Sequence, residues 1–213
     1  MVQELKSDSD SPAVKSSPLP KMTYEEFLAW YDDSHAEWVD GEVILMSPAS
    51  DSHQELAGFL YVLLRHFAEA GQLGRVLIAP FQMKLSFRPS GREPDVLFIA
   101  RERLNLLKNN YLDGSADMAI EVIGPDSCSR DREERYYEYQ QAGVREYWIL
   151  DPVRKQAEFF RLGLEGIYST VVVGDDGIFH SAVLDGLWLK VDWLWQEPLP
   201  PLMSVLKDWG LVK

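Results

Sequence analysis

Glu121 is the residue whose position most demands a chemical explanation. Its neighbours Met118, Ala119, Ile120, Val122 and Ile123 are all apolar. An unbroken run of that length suits a strand buried on both faces. A carboxylate there is costly unless it is paired, protonated or bound to a metal ion. Asp95 stands in a related place, directly after Pro94 and at the head of the apolar run 96–99. If the two strands are neighbours, their carboxylates converge. With main-chain carbonyls and water they then make a hard-oxygen site suited to Mg²⁺ or Mn²⁺. Such an ion neutralises developing charge and activates water in phosphoryl transfer. A plainer arrangement is also open, with Asp95 capping a turn and Glu121 paired to a buried arginine.

The segment after Glu121 adds a cation. Asp131, Arg135 and Tyr139 are spaced i, i+4, i+8 and share one face of a helix. That face aims Arg135 toward Glu121 and a bound phosphate, or leaves it in a surface pair with Asp131. Tyr139 reads as core packing. His53, at the start of a long helix, suits either a structural role or a contact with phosphate. His35, His66 and His180 show no ligand spacing. Cys128 is the single cysteine, so no disulfide framework and no Cys-based zinc site can form within the chain.

These residues need elements to hold them. Thr23 and Glu26 form a capping-box pattern that opens a short helix over 24–32, ended by Asp33-Ser34. Asp40-Gly41 is a two-residue hairpin signal between apolar arms at 38–39 and 43–45. The apolar positions Leu56, Phe59, Leu60, Leu63, Leu64 and Phe67 give a helix over 52–70 one core-facing stripe, with Gly71 as its stop. A strand region over 75–87 is broken at Pro80, and 89–91 reads as a turn. A buried strand follows at 96–99, then a polar, loosely helical stretch over 101–114, then the strand carrying Glu121. Ser129 opens a helix to about 142, and a strand at 146–150 completes a strand–strand–helix–strand unit. Antiparallel strands are expected at 156–162, 167–173 and 178–184, the last two joined by a hairpin turn at 174–177, with a final short strand near 187–191. The fold class is α/β, a mixed sheet flanked by helices with extra C-terminal antiparallel strands.

The 213 residues are 46% hydrophobic and 26% charged, a composition that folds without disulfides or metal. The net charge of −13 argues against broad non-specific nucleic-acid binding, which needs a basic surface. No apolar run approaches a membrane span, and residues 1–21 read as a disordered tail without a signal-peptide core. A cytoplasmic, reducing location is expected. Residues 22–195 form the folded domain, and 196–213 a Pro- and Leu-rich tail that wraps the domain or packs on a second copy.

The order Glu37, Pro94-Asp95, Glu121-Val122-Ile123 resembles the PD-(D/E)XK nuclease superfamily, the restriction-endonuclease-like fold. More narrowly, AEWVDGEVI, the SP before His53, EPDVLFIA, IEVIGPDS, a helix ending in AGV, and EYWILDP together resemble the Uma-two family of bacterial proteins. The resemblance implies a Mg²⁺- or Mn²⁺-dependent endonuclease acting on DNA. Nucleases that cut both strands often work as two-fold dimers, and the Trp-rich C-terminal strands are expected to offer the apolar surface of such a homodimer. Asp95, Glu121 and the Val122 carbonyl would hold the metal. Glu37 would be an additional acid, and His53 would touch phosphate or Glu37. The superfamily's lysine position is Ile123 here. In the Uma-two branch the lysine comes from the next helix, where this chain has Arg135, four residues before Tyr139. Arginine stabilises charge but is effectively never deprotonated, so it cannot serve as a general base. That departure, with the acidic charge, motivates a second reading: a non-catalytic nuclease fold kept as a binding module.

Overall fold

The structure is a computed structural model that describes residues 20–30, 35–124 and 129–213, with side chains from 132 onward in the last segment. The helix stop at Asp33-Ser34, Cys128, the Ser129 cap, the side chain of Asp131 and residues 1–19 of the expected tail lie outside the described residues.

Helix α1 (Tyr24–Trp30) begins at the capping box: Thr23 Oγ1 accepts from Glu26 N at 3.2 Å, and Glu26 Oε2 accepts from Thr23 N at 2.7 Å. Strands β1 (Ala36–Val39) and β2 (Glu42–Leu45) form the hairpin around Asp40 and Gly41, both at positive φ as a tight primed turn requires. Helix α2 (Asp51–Ala70) is capped by Ser50, whose side chain accepts from His53 N. Then come β3 (Gly74–Ile78), β4 (Gln82–Leu85), β5 (Ser90–Arg92), β6 (Val96–Ala100), a 3-10 turn (Arg101–Leu106), β7 (Tyr111–Asp113) and β8 (Met118–Val122). Helix α3 (Ser129–Ala142) crosses from β8 to the parallel β9 (Glu146–Asp151). The chain ends with β10 (Gln156–Leu162), β11 (Tyr168–Thr170), β12 (Ile178–His180), β13 (Trp188–Lys190) and α4 (Leu202–Asp208).

The strands form two mixed sheets and a hairpin. One sheet runs β2-β1-β5-β4-β7, the other β11-β10-β9-β8-β6-β3, and β12 pairs with β13 alone. The central strands of the six-stranded sheet, β6, β8 and β9, are buried on both faces, as the apolar run around Glu121 predicts. Met118, Ile120 and Val122 of β8 join a core with α2, the β12–β13 hairpin and α4. The alternate positions, Ala119 on β8 and Tyr147 and Ile149 on β9, join a second core with Tyr139 of α3 and Met83 and Leu85 of β4. Glu121 has the parity of Ala119, so it faces α3 and the five-stranded sheet.

Four expectations are corrected. The turn expected at 89–91 spans 86–89 instead; Ser90 and Gly91 belong to β5. A Cβ on Gly91 would lie 2.4 Å from Gln82 Oε1 and 2.5 Å from Tyr24 Cε2, so glycine here admits α1 to the sheet. The stretch over 101–114 is not uniformly helical, because it ends in β7, which pairs parallel to β4. The turn at 174–177 joins strands of different sheets, since β11 pairs with β10 and β12 with β13. The C-terminal tryptophans serve the core more than an apolar surface: Trp193 is buried in the first core, and Trp188, Trp195 and Trp209 pack, partly buried, against it. Residues 205–206 of α4 are buried in the same core.

Candidate functional site

Four elements meet where β1 passes the amino end of β6 and the carboxyl end of its antiparallel neighbour β8. Glu37 comes from β1, and its side chain is 1% exposed. Asp95 lies immediately before β6, Glu121 on β8, and Arg135 and Tyr139 on α3. Arg135 bridges two acids: Nη1 donates to Glu121 Oε2 at 3.3 Å and Nη2 to Glu37 Oε2 at 3.1 Å. Tyr139 Oη donates to Glu121 Oε1 at 2.7 Å, so the tyrosine is both fully buried and part of the site. Asp95 Oδ2 accepts from Val122 N at 2.7 Å, which fixes it one residue from Glu121. Its other oxygen lies 3.2 Å from His53 Nε2. His53 therefore meets Asp95, not Glu37.

Sequence reasoning missed a second tier. Arg92 of β5 donates from Nη1 to Glu37 Oε2 at 2.7 Å, and from Nε and Nη2 to the two oxygens of Glu138, each at 2.8 Å. Glu93 donates its main-chain N–H to Glu37 Oε1 at 3.1 Å, and its carboxylate accepts from Gln82 Nε2 at 2.7 Å. His35 Nδ1 stands 3.7 Å from Glu93 Oε2. Glu93, Asp95, His35 and His53 line one cavity of about 250 Å³. Glu93 and Asp95 were detectable, since residues two apart on an extended chain share a face. Arg92 was hidden by the assumed turn. Lys84 lies elsewhere: its Nζ sits 4.8 Å over the Tyr24 ring, on the α1 side of the sheet.

The electrostatics separate the acids. Burial pushes the Glu121 carboxyl up to about 7; Arg135 pulls against this, while Asp95 and Glu37 add to the rise. Burial also opposes the charge on Glu37, yet Arg135 and Arg92 outweigh it and hold Glu37 below the usual carboxylate range. The hydrogen bond to Asp95 raises His53 against the effect of burial.

A prediction follows for Glu121. Its folded-state pKa is raised, so the folded chain holds a proton that the unfolded chain releases near 4.5. Stability therefore falls as pH rises from 4.5 to 7, by about 3 kcal/mol, and then levels off. Glu121→Gln removes that slope. Thermal melts at pH 5 and pH 8 are expected to show the variant gaining on the native chain at the higher pH. Parallel pH profiles for the two proteins would sink this reading.

A family model described as "Uma2: Putative restriction endonuclease" matches residues 24–192, from α1 through β13 and so across the whole site. The chain belongs to the Uma2 family. The fold agrees with a crystal structure described as "a putative nuclease belonging to DUF820" from Anabaena variabilis. The two share 16% identity at a TM-score of 0.69, over 82% of this chain and 97% of that one. No curated protein matches. Within this Uma2 chain, five of the six motifs that carried the resemblance fall on elements at the site (β1, the start of α2, β6, β8 and α3), and the sixth, EYWILDP, is β9, the parallel neighbour of β8.

The carboxylates here are hard oxygen donors of the kind that Mg²⁺ and Mn²⁺ take. Three carboxylates crowd two arginines, and the raised Glu121 shows that burial is not fully compensated by positive charge. Among the described residues, no three His, Cys, Asp or Glu side chains stand together tightly enough to hold a metal alone. An ion at Asp95 and Glu121 would need a main-chain carbonyl, Val122 being adjacent, and water. Magnesium commonly binds in that way, through one or two carboxylates with several waters retained.

Proposed function

We propose that this Uma2 protein is a Mg²⁺- or Mn²⁺-dependent endonuclease that hydrolyses DNA phosphodiester bonds. The observation that carries this reading is the meeting of Asp95 and Glu121 beside an arginine held by two acids. When bound, the cation supplies Lewis-acid charge at the phosphate and makes a water easier to deprotonate. Asp95, Glu121 and the Val122 carbonyl would hold it. Glu37 anchors Arg135 and orients water at the site. Arg135, charged at any working pH, stabilises the negative charge that grows on the phosphate. Tyr139 keeps the Glu121 carboxylate in one orientation, and His53 does the same for Asp95.

The test uses plasmid, linear and single-stranded DNA with graded Mg²⁺ or Mn²⁺. The native protein is expected to nick or cut at least one substrate, and Glu121→Ala and Asp95→Ala to lose that activity. Cleavage by Glu121→Ala equal to that of the native chain would refute the assignment.

A second reading, a binding module without catalysis, draws on one observation. Each carboxylate oxygen of Asp95 and Glu121 already faces a protein donor. Calorimetric titration with Mn²⁺ separates the two. Binding that Asp95→Ala abolishes supports the nuclease; no heat of binding in the native chain supports the module.

A further inference from the structure

Strand β2 ends the five-stranded sheet, and among the described residues no strand pairs with its outer edge. Its register with β1 pairs Val39 with Glu42 and Glu37 with Ile44, and Met46 N donates to His35 O at 2.9 Å. Glu42, Ile44 and Met46 thus turn their main chains toward β1. Val43 and Leu45 turn theirs outward, and among the described residues these groups have no hydrogen-bond partner. The side chains along this edge are apolar and unusually bare, with Ile44 43%, Leu45 60% and Met46 36% exposed. Proteins usually blunt such an edge with lysine, proline, a bulge or a covering loop. Here the strand carries none of these: its one charge is Glu42, paired with Lys21 at 3.0 Å.

We propose that β2 is a homodimer interface, on which the β2 strand of a second copy adds antiparallel across a two-fold axis through Ile44. The segment is complementary to itself in that register. Val43 faces Leu45 of the second copy and Leu45 faces Val43, so four outward N–H and C=O pairs are satisfied together. Glu42 lies opposite Met46, which keeps like charges apart. The two Ile44 side chains meet at the axis as a non-hydrogen-bonded pair, with Cα atoms about 4.5 Å apart. An isologous contact of this kind closes on itself and stops at two copies.

The register also relates the two candidate sites. Ile44 is the β1 partner of Glu37, so the two Glu37 residues lie in line across the axis, three strand spacings or roughly 14 Å apart. A two-fold normal to the sheet puts both on the same face. On the nuclease reading, which only this consequence requires, the pair of sites would address both strands of one duplex.

The test reads association, not cleavage. Ile44→Cys is made with Cys128→Ser, so that it carries the only thiol, and is oxidised mildly at micromolar concentration. A disulfide dimer is expected on non-reducing gels, because the Cα separation at the axis suits the bond. Leu164→Cys in the same background, on a fully exposed loop, is expected to stay largely monomeric. Light scattering should find the native chain dimeric and Leu45→Pro monomeric and folded, since the lost N–H faces away from β1. A native monomer overturns the proposal, as does a dimer in which Ile44→Cys stays reduced or Leu45→Pro leaves the mass unchanged.

Discussion

Arg92→Met is expected to destabilise the protein by about 3–5 kcal/mol, the usual range for removing one partner of a buried ion pair. Arg92 is itself almost wholly buried, and so are the two acids it serves, Glu37 and Glu138. Three of its N–H groups are committed within 2.8 Å, two of them as a fork on Glu138. Methionine fills similar volume but leaves both carboxylates short of a counter-charge. Arg135 still reaches Glu37, and Arg88, which is half-exposed, still reaches Glu138 at 3.0 Å, so the loss stops short of unfolding at neutral pH. The deficit depends on pH. Glu37 has a folded pKa below its ordinary value. Its ion pairs therefore stabilise above that ordinary value, and the benefit disappears as pH falls through the lowered one. Urea denaturation of native and variant chains at pH 7 and at pH 4 checks both claims. A difference under 1 kcal/mol at pH 7, or one that grows in acid, would contradict them.

Glu121, Asp95 and Arg135 drew attention through their own positions, Glu37 only through the family resemblance. Glu121 stood out because a charge in a two-sided strand breaks the local pattern, and β8 is such a strand, buried at every position. Asp95 was visible through the same logic at a strand start. The hairpin at Asp40-Gly41 and the long helix over α2 were visible because turn chemistry and a 3.6-residue period act within a few residues. What was not legible depends on partners far along the chain. Ser90-Gly91-Arg92 carries no strand signal of its own. It is a strand because β1 and β4 lie on either side and supply its hydrogen bonds. Arg92 was lost with it, and Glu138 too, whose partner is 46 residues away. The split into two sheets was hidden for the same reason, since no local pattern states which strands pair. His53 was legible as a candidate but not its partner: the first turn of α2 sets the histidine against Asp95, while Glu37 is held by Arg92 and Arg135.

Arg135→Ala is expected to lower the cleavage rate by roughly 100- to 1,000-fold, the range for removing one preorganised charge donor from a transition state. Arg135→Lys is expected to fall much less, by roughly tenfold, because charge is kept while geometry is lost. Arginine spans Glu121 and Glu37 with two nitrogens at once. Lysine is a single point charge and can favour only one of them. The pair of variants also separates two roles for this position. If the position must accept a proton, the native arginine is the poorer residue, and Arg135→Lys should run faster than native, increasingly so at high pH. If it only stabilises charge, native exceeds lysine, lysine exceeds alanine, and the order holds from pH 7 to pH 9. The geometry favours the second outcome. Arg135 is charged under all these conditions, with two buried acids raising its pKa further against burial. Of the site's carboxyls, the one pushed toward neutrality is Glu121, while His53, bonded to Asp95, is raised from the ordinary imidazole value. The rate of the native protein should therefore rise through about pH 7 as Glu121 loses its proton, then level off. Metal lowers that midpoint, since a cation at the carboxylate favours its charged form. A gain in rate for Arg135→Lys would return proton transfer to this helix and overturn the role given to Arg135.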